Sequence, residues 1–278
     1  MRNGILTLLF GLSVGCGSSK TPEVEETPKA EPPSKDFGAI DMEKLEEIAD
    51  QVNLVPSPLK MQEELQKAGV ASKLSAMVAS DRNLSMDIES LDQVAIRTGV
   101  VLADVVLTIN TATPEQLQAY LKSLKDGFGK VKAGNDIQLT IDEMLETVGT
   151  EGFDRAGLLE EIDALSNVMV PELECEAGEW VVPLIQAGSW LEGANLVSGT
   201  IQKDEKYAES KSLFHQPGAA KYFLRYVQRE GRDKAPDAII AKLESTLTDL
   251  DKLAQNTELS KEQIDLIYSM TSELLSLL

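Results

Sequence analysis

Apolar residues recur every three or four positions over most of this chain, the spacing of one face of an α-helix. From residue 41 onward that period is punctuated by helix start and stop signals. Asp41 is placed to cap a helix carrying Leu45, Ile48, Ala49 and Val52. Ser57-Pro58 supplies a cap with proline at the first helical position, and Gly69 is the matching stop. A long helix is predicted over 87–112. Thr113-Pro114-Glu115-Gln116 has the capping-box pattern and opens a helix through Leu117, Leu121 and Leu124. Thr140 is read as the start of a shorter helix. Asp154 opens another through Leu158, Leu159, Ile162, Leu165 and Val168, with a kink or break expected at Pro171. A further long helix is predicted over 180–201, with Pro183 near its start, and 214–218 reads as a loop. Residues 237–255 place Ile240, Leu243, Leu247, Leu250 and Ala254 on one stripe. Ser260-Lys261-Glu262-Gln263 is a second capping box, opening a helix with Ile264, Ile267, Met270, Thr271, Leu274 and Leu278 on one side. The last two helices are expected to form an antiparallel hairpin joined at 256–259.

No alternating strand pattern and no fixed-period repeat emerges, so the expected fold is all-α: a multi-helix bundle of about nine to eleven helices. Two segments, 94–109 and 181–197, are apolar nearly all round, which places them at the centre of a domain. Arg97, Asp104 and Glu192 argue against reading either as a membrane span. Gly99, Ala103, Gly188, Gly193 and Ala194 are small, so the two helices are expected to approach closely and pack side by side as the core.

Composition narrows the chemistry. The 278 residues carry a formal net charge of −20, which disfavours nucleic acid as a partner. A single histidine, His215, rules out a multi-histidine metal site within one chain, and two cysteines, Cys16 and Cys175, are too few for a disulfide framework or a cysteine zinc site. Gly-x-Ser-x-Gly, phosphate-cradling glycine loops and dinucleotide fingerprints are absent from the sequence. No enzyme activity, cofactor or metal is therefore expected.

The N-terminus reads as an address. Met1-Arg2-Asn3 is a short, positively charged start, and 5–14 is an apolar run well below the ~20 residues that span a bilayer. It ends in Leu12-Ser13-Val14-Gly15-Cys16, which resembles the lipobox of bacterial lipoproteins, with Ser13 where leucine is usual. That resemblance implies removal of a signal peptide at 1–15 and diacylglycerol, with further acyl chains such as palmitate, on Cys16. Gly17 is not the aspartate that retains many such proteins in the inner membrane, so the outer membrane is implied, with the domain in the periplasm or at the surface. Residues 16–38 then form a Pro/Glu/Ser/Lys-rich tether with almost nothing to bury, and 39–278 the helical domain. So acidic a domain is not expected to lie flat on an anionic membrane.

Three short motifs follow in order: Leu54-Val55-Pro56-Ser57-Pro58, Gly99-Val100-Val101-Leu102-Ala103-Asp104 and Gly188-Ser189-Trp190-Leu191-Glu192. Together they resemble an uncharacterised family of predicted bacterial lipoproteins, whose members have glycine at the places of Leu102 and Ser189. The resemblance supports location and fold and implies no mechanism.

Candidate site residues each carry two readings. Asp104, a carboxylate amid Val, Leu and Ala, is either a ligand site or a structural group paired with Arg97 or a helix end. Trp190 and Glu192 either line a pocket or belong to the core. If Asp104 and Glu192 converge, they offer oxygen ligands to a hard cation. His215, in the expected loop, reads as a surface residue. Cys175, flanked by Glu174 and Glu176, reads as an unreactive thiol, because neighbouring negative charge disfavours the thiolate. Two functions are consistent with these features. One is a lipid-anchored cell-envelope protein whose acidic helical domain is an interaction or assembly module for another envelope protein. The other is a small-ligand or cation binding protein with its site between the two central helices, at Asp104, Trp190 and Glu192.

Overall fold

The two segments without a polar face become the two helices that everything else covers. In the computed structural model, which describes residues 58–78, 84–178, 181–209, 219–230, 237–256 and 259–278, the helices are α1 (Pro58–Lys67), α2 (Leu91–Thr108), α3 (Pro114–Lys130), α4 (Asn135–Val148), α5 (Arg155–Glu176), α6 (Val181–Asp204), α7 (Ala219–Glu230), α8 (Asp237–Ala254) and α9 (Lys261–Leu275). Short 3₁₀ turns cover Ala71–Ala76 and Tyr207–Glu209. The fold is all-α, and the described residues fall within one compact unit, Met42–Leu278. Among them no helix is long and apolar enough to cross a membrane.

The most extensive interhelical contact joins α2 and α6. Their backbones touch: a Cβ on Gly99 would lie 1.9 Å from the Ile185 carbonyl oxygen, and one on Gly188 would lie 2.0 Å from that of Ile96. Only glycine fits at both places. Ser189 Oγ adds a hydrogen bond of 2.9 Å to the Gly99 carbonyl across the crossing. Farther along, Leu107 lies beside Gly193, so the two helices run in the same direction. Their C-terminal ends meet the first part of the domain: Gln62 donates to the Val106 carbonyl, Lys206 Nζ donates to the Gly69 carbonyl at 2.7 Å, and Lys73 pairs with Asp204 at 2.7 Å.

Other helices close the remaining faces. On one side α3 covers α2, pressing Gly127 against Thr98, and α4 covers α3 in turn. Contacts from α5 reach α1, α4 and α6. From its N-terminus Arg155 donates to the carbonyls of Ile109 and Ala112, at 2.9 Å for the latter, and so satisfies acceptors that the end of α2 leaves open. Against α6 lies α9, held also by Asn195 Nδ2, which donates to Ser272 Oγ at 2.6 Å and Thr271 Oγ1 at 3.1 Å. The last helix thus belongs to the main core. It also touches α8, whose larger partner is α7.

Several expected boundaries move. The long helix starts at Leu91 rather than at Asp87, because Ser90 is the cap, its Oγ accepting the Gln93 N–H at 3.3 Å. Thr140 does not start α4; its hydroxyl donates to the Asp136 carbonyl one turn back, inside a helix that begins at Asn135 after Gly134. Pro171 does not end α5, which continues to Glu176 before Gly178, at φ +104°, turns the chain. Gly69, at φ +69°, stops α1 as expected. Both capping boxes form, at Thr113 and Ser260. One helix, α7, was not legible beforehand. The expected helix at 41–52, the 54–57 part of the first motif, and the loop with His215 lie outside the described residues, as does the N-terminal address with Cys16.

Candidate functional site

Because α2 is apolar all round, each of its sides meets a different neighbour. The side turned to α6 carries Ile96, Gly99 and Leu107, and at the crossing no space is left between the two backbones. The close contact leaves no room for a ligand at the crossing of Gly99 and Gly188. Asp104 instead lies on the side of α2 that faces α3 and the chain at 84–87, where an open cleft of about 1090 Å³ forms. Asp104 is among the residues around this cleft but is itself buried, at 1% exposure.

The cleft has three walls. Val101 and Asp104 of α2 make the floor, and Tyr120 and Ser123 of α3 make one side. Opposite them stand Val78, Leu84 and Met86. This third wall is fastened to the rest: Arg97 donates to the Ser85 carbonyl, and Asp87 pairs with Lys130 of α3 at 3.2 Å. Partial burial pulls the Arg97 guanidinium below its usual value. At the far end Lys125 binds both oxygens of Asp142 of α4, at 2.5 and 2.6 Å, and Gln138 donates to the Lys125 carbonyl at 3.3 Å. The lysines of the cleft are therefore each matched by a carboxylate.

Trp190 and Glu192 do not line this cleft. Trp190 is half-buried and packs on Phe223 of α7, ring centroids 6.0 Å apart at an interplanar angle of 47°. That tilted arrangement ties α6 to α7. Glu192, one turn beyond Gly188, is fully buried within the bundle. Of the three residues that the sequence had grouped, Asp104 alone lines this cleft. Cys175 belongs to α5 by its backbone. Among the described residues no group of three or more Asp, Glu, His or Cys side chains is placed to hold a metal ion.

Tyr120, Ser123 and the 84–87 wall had not been singled out from the sequence. Tyr120 is one aromatic on the half-polar face of an ordinary amphipathic helix, and no local pattern distinguishes it from a surface tyrosine. The second and third motifs acquire a structural meaning: Gly99 of one meets Ser189 of the other, and Gly188 meets Ile96 just ahead of the first. Comparison with protein-family models, with curated proteins and with solved structures gives no match.

Proposed function

We propose that the chain is a lipid-anchored protein of the bacterial cell envelope, a member of the lipoprotein family its motifs resemble. Its helical domain acts as a non-enzymatic interaction or assembly module. The observation that carries this reading is the order of features ahead of the domain. A basic start, the apolar run at 5–14, a small residue at Gly15 and then Cys16 are followed by a Pro/Glu/Ser/Lys-rich stretch. Several acyl chains on Cys16 hold a protein stably at a membrane, where one alone binds reversibly. The stretch up to residue 38 gives the domain reach, and its acidity keeps it off an anionic surface. Gly17 favours the outer membrane, with the domain in the periplasm or at the surface. The partner is another envelope protein, and neither nucleic acid nor a cofactor is needed.

The test is metabolic labelling with an alkyne fatty acid in a Gram-negative host, followed by membrane fractionation. The native chain should carry label and sediment with the outer membrane, and Cys16→Ser should be unlabelled. An unlabelled native chain in the cytosol overturns the proposal. In-cell cross-linking of the labelled protein should then trap a discrete envelope partner. Recovery of the bare protein alone would refute the module half of the reading and leave the anchor standing.

A further inference from the structure

We propose that Met77 is a redox latch: oxidation of its thioether to the sulfoxide by a peroxide loosens the turn at 71–77 from α6 and α9. This goes beyond the anchored module and does not depend on the anchor. Met77 directly follows the 3₁₀ turn, and its N–H donates to the Leu74 carbonyl at 2.9 Å. Its side chain reaches α6 at Gly199, where the missing side chain leaves a notch. A Cβ on Gly199 would lie 2.6 Å from the Met77 methyl carbon and 2.7 Å from Cε2 of Tyr268 on α9. The notch is therefore filled from two sides, and the turn, α6 and α9 meet there. Leu74 is fully buried and Lys73 pairs with Asp204 at 2.7 Å, so opening the latch frees the turn without unfolding the domain.

Exposure selects Met77 for oxidation. It is partly exposed, whereas Met86 and Met144 are sealed in the core at 5% and 0%. With hydrogen peroxide, the sulfur takes one oxygen atom as the O–O bond breaks. The thioether is oxidised to the sulfoxide and the peroxide is reduced to water. The product carries an added oxygen and a strong dipole in place of a flexible apolar chain. A glycine and the edge of an aromatic ring offer that dipole little in exchange for its hydration, and a close-packed notch has no volume to spare. Enzymatic reduction of the sulfoxide restores the apolar side chain, which makes the latch reversible.

The test is treatment of the full chain with hydrogen peroxide, with the added oxygen located by peptide mass mapping and the turn followed by hydrogen exchange. Met77 should be oxidised at least about tenfold faster than Met144. Exchange at 71–77 and around Tyr268 should then quicken by at least about tenfold, and methionine sulfoxide reductase should slow it again. Met77→Leu keeps the apolar volume and should exchange slowly before and after peroxide. Met270, also partly exposed, remains in that variant, so the comparison isolates Met77 from oxidation elsewhere. Oxidation of Met77 no faster than of Met144, unchanged exchange once Met77 is oxidised, or the same quickening in peroxide-treated Met77→Leu overturns the proposal.

Discussion

Gly188 of α6 lies against Ile96 of α2 so closely that a methyl group there would sit 2.0 Å from the Ile96 carbonyl oxygen. The atom in the way is backbone, so no rotamer change relieves the clash and the helices must separate. Gly99 is in the same position against Ile185. Gly188→Ala and Gly99→Ala should each destabilise the domain by about 2–4 kcal/mol, the range of strongly overpacked core positions. Gly193 is the internal control. A Cβ there meets only Leu107 Cδ1 at 3.8 Å, so Gly193→Ala should be neutral or stabilise by up to about 1 kcal/mol through helix propensity. Urea unfolding of the three variants separates the cases. Equal midpoints for Gly188→Ala and Gly193→Ala would refute the close crossing.

Arg155 connects elements distant in sequence. Its guanidinium donates to the carbonyls of Ile109 and Ala112 just past the end of α2 and lies 5.0 Å from the Phe153 ring centre. Replacing it with methionine keeps most of the aliphatic packing and strands both acceptors. Arg155→Met should cost about 1–3 kcal/mol, the usual cost of leaving partly buried acceptors unmade. Hydrogen exchange should quicken first in the last turn of α2 and the first turn of α5. Uniform loss of protection over the whole domain, with no local excess, would count against this role.

How far the sequence foretold this depends on the range of the interaction. The capping boxes at Thr113 and Ser260 were legible because both partners lie within three residues. The start of α2 was not, because Asp87 and Ser90 are equally good caps in isolation. Tertiary structure decides: Asp87 is drawn to Lys130, and Ser90 is left to cap. Helix α7 buries Ala220, Phe223 and Val227 at helical spacing, but a run rich in Lys, Arg and Tyr obscured that stripe. The close packing of α2 and α6 was readable from their small residues. The side of α2 on which Asp104 emerges was not, since it is set by the rotation at which Gly99 meets Ile185. A carboxylate in an apolar run marks itself as costly to bury, but not which neighbour it faces.

Asn195 fastens α9 to α6 by donating from Nδ2 to Ser272 Oγ, Thr271 Oγ1 and, at 3.4 Å, the Tyr268 carbonyl. The chemistry at that position requires a donor. Asn195→Asp removes it and sets a carboxylate oxygen toward a carbonyl oxygen, so it should destabilise more than Asn195→Ala at neutral pH. The alanine variant should cost about 1–3 kcal/mol. Lowering the pH should rescue the aspartate variant relative to alanine, because the protonated acid regains a donor. Thermal melts at pH 7 and at pH 4 measure the difference. Parallel behaviour of the two variants across that interval would argue that the site needs only volume.

Glu115 and Glu262 occupy equivalent places in the first turns of α3 and α9. Each carboxylate is held below its ordinary value of 4.5, chiefly by its own backbone N–H and next by the hydroxyl of the cap, Thr113 or Ser260. Ser260 Oγ lies 2.9 Å from Glu262 Oε2. A folded-state pKa below the unfolded one means that the contribution is fully present above about pH 4.5 and is lost as the pH falls through the lower folded value. Carboxyl titrations followed by NMR should place both glutamates below the typical surface glutamates of the chain. Thr113→Ala should move Glu115 upward and leave Glu262 alone, and Ser260→Ala should do the converse. Loss of the Ser260 cap should also cost about 1 kcal/mol at neutral pH. If Ser260→Ala leaves the Glu262 titration unmoved, the hydroxyl plays no part in it, and the depression belongs to the backbone N–H and the helix dipole alone.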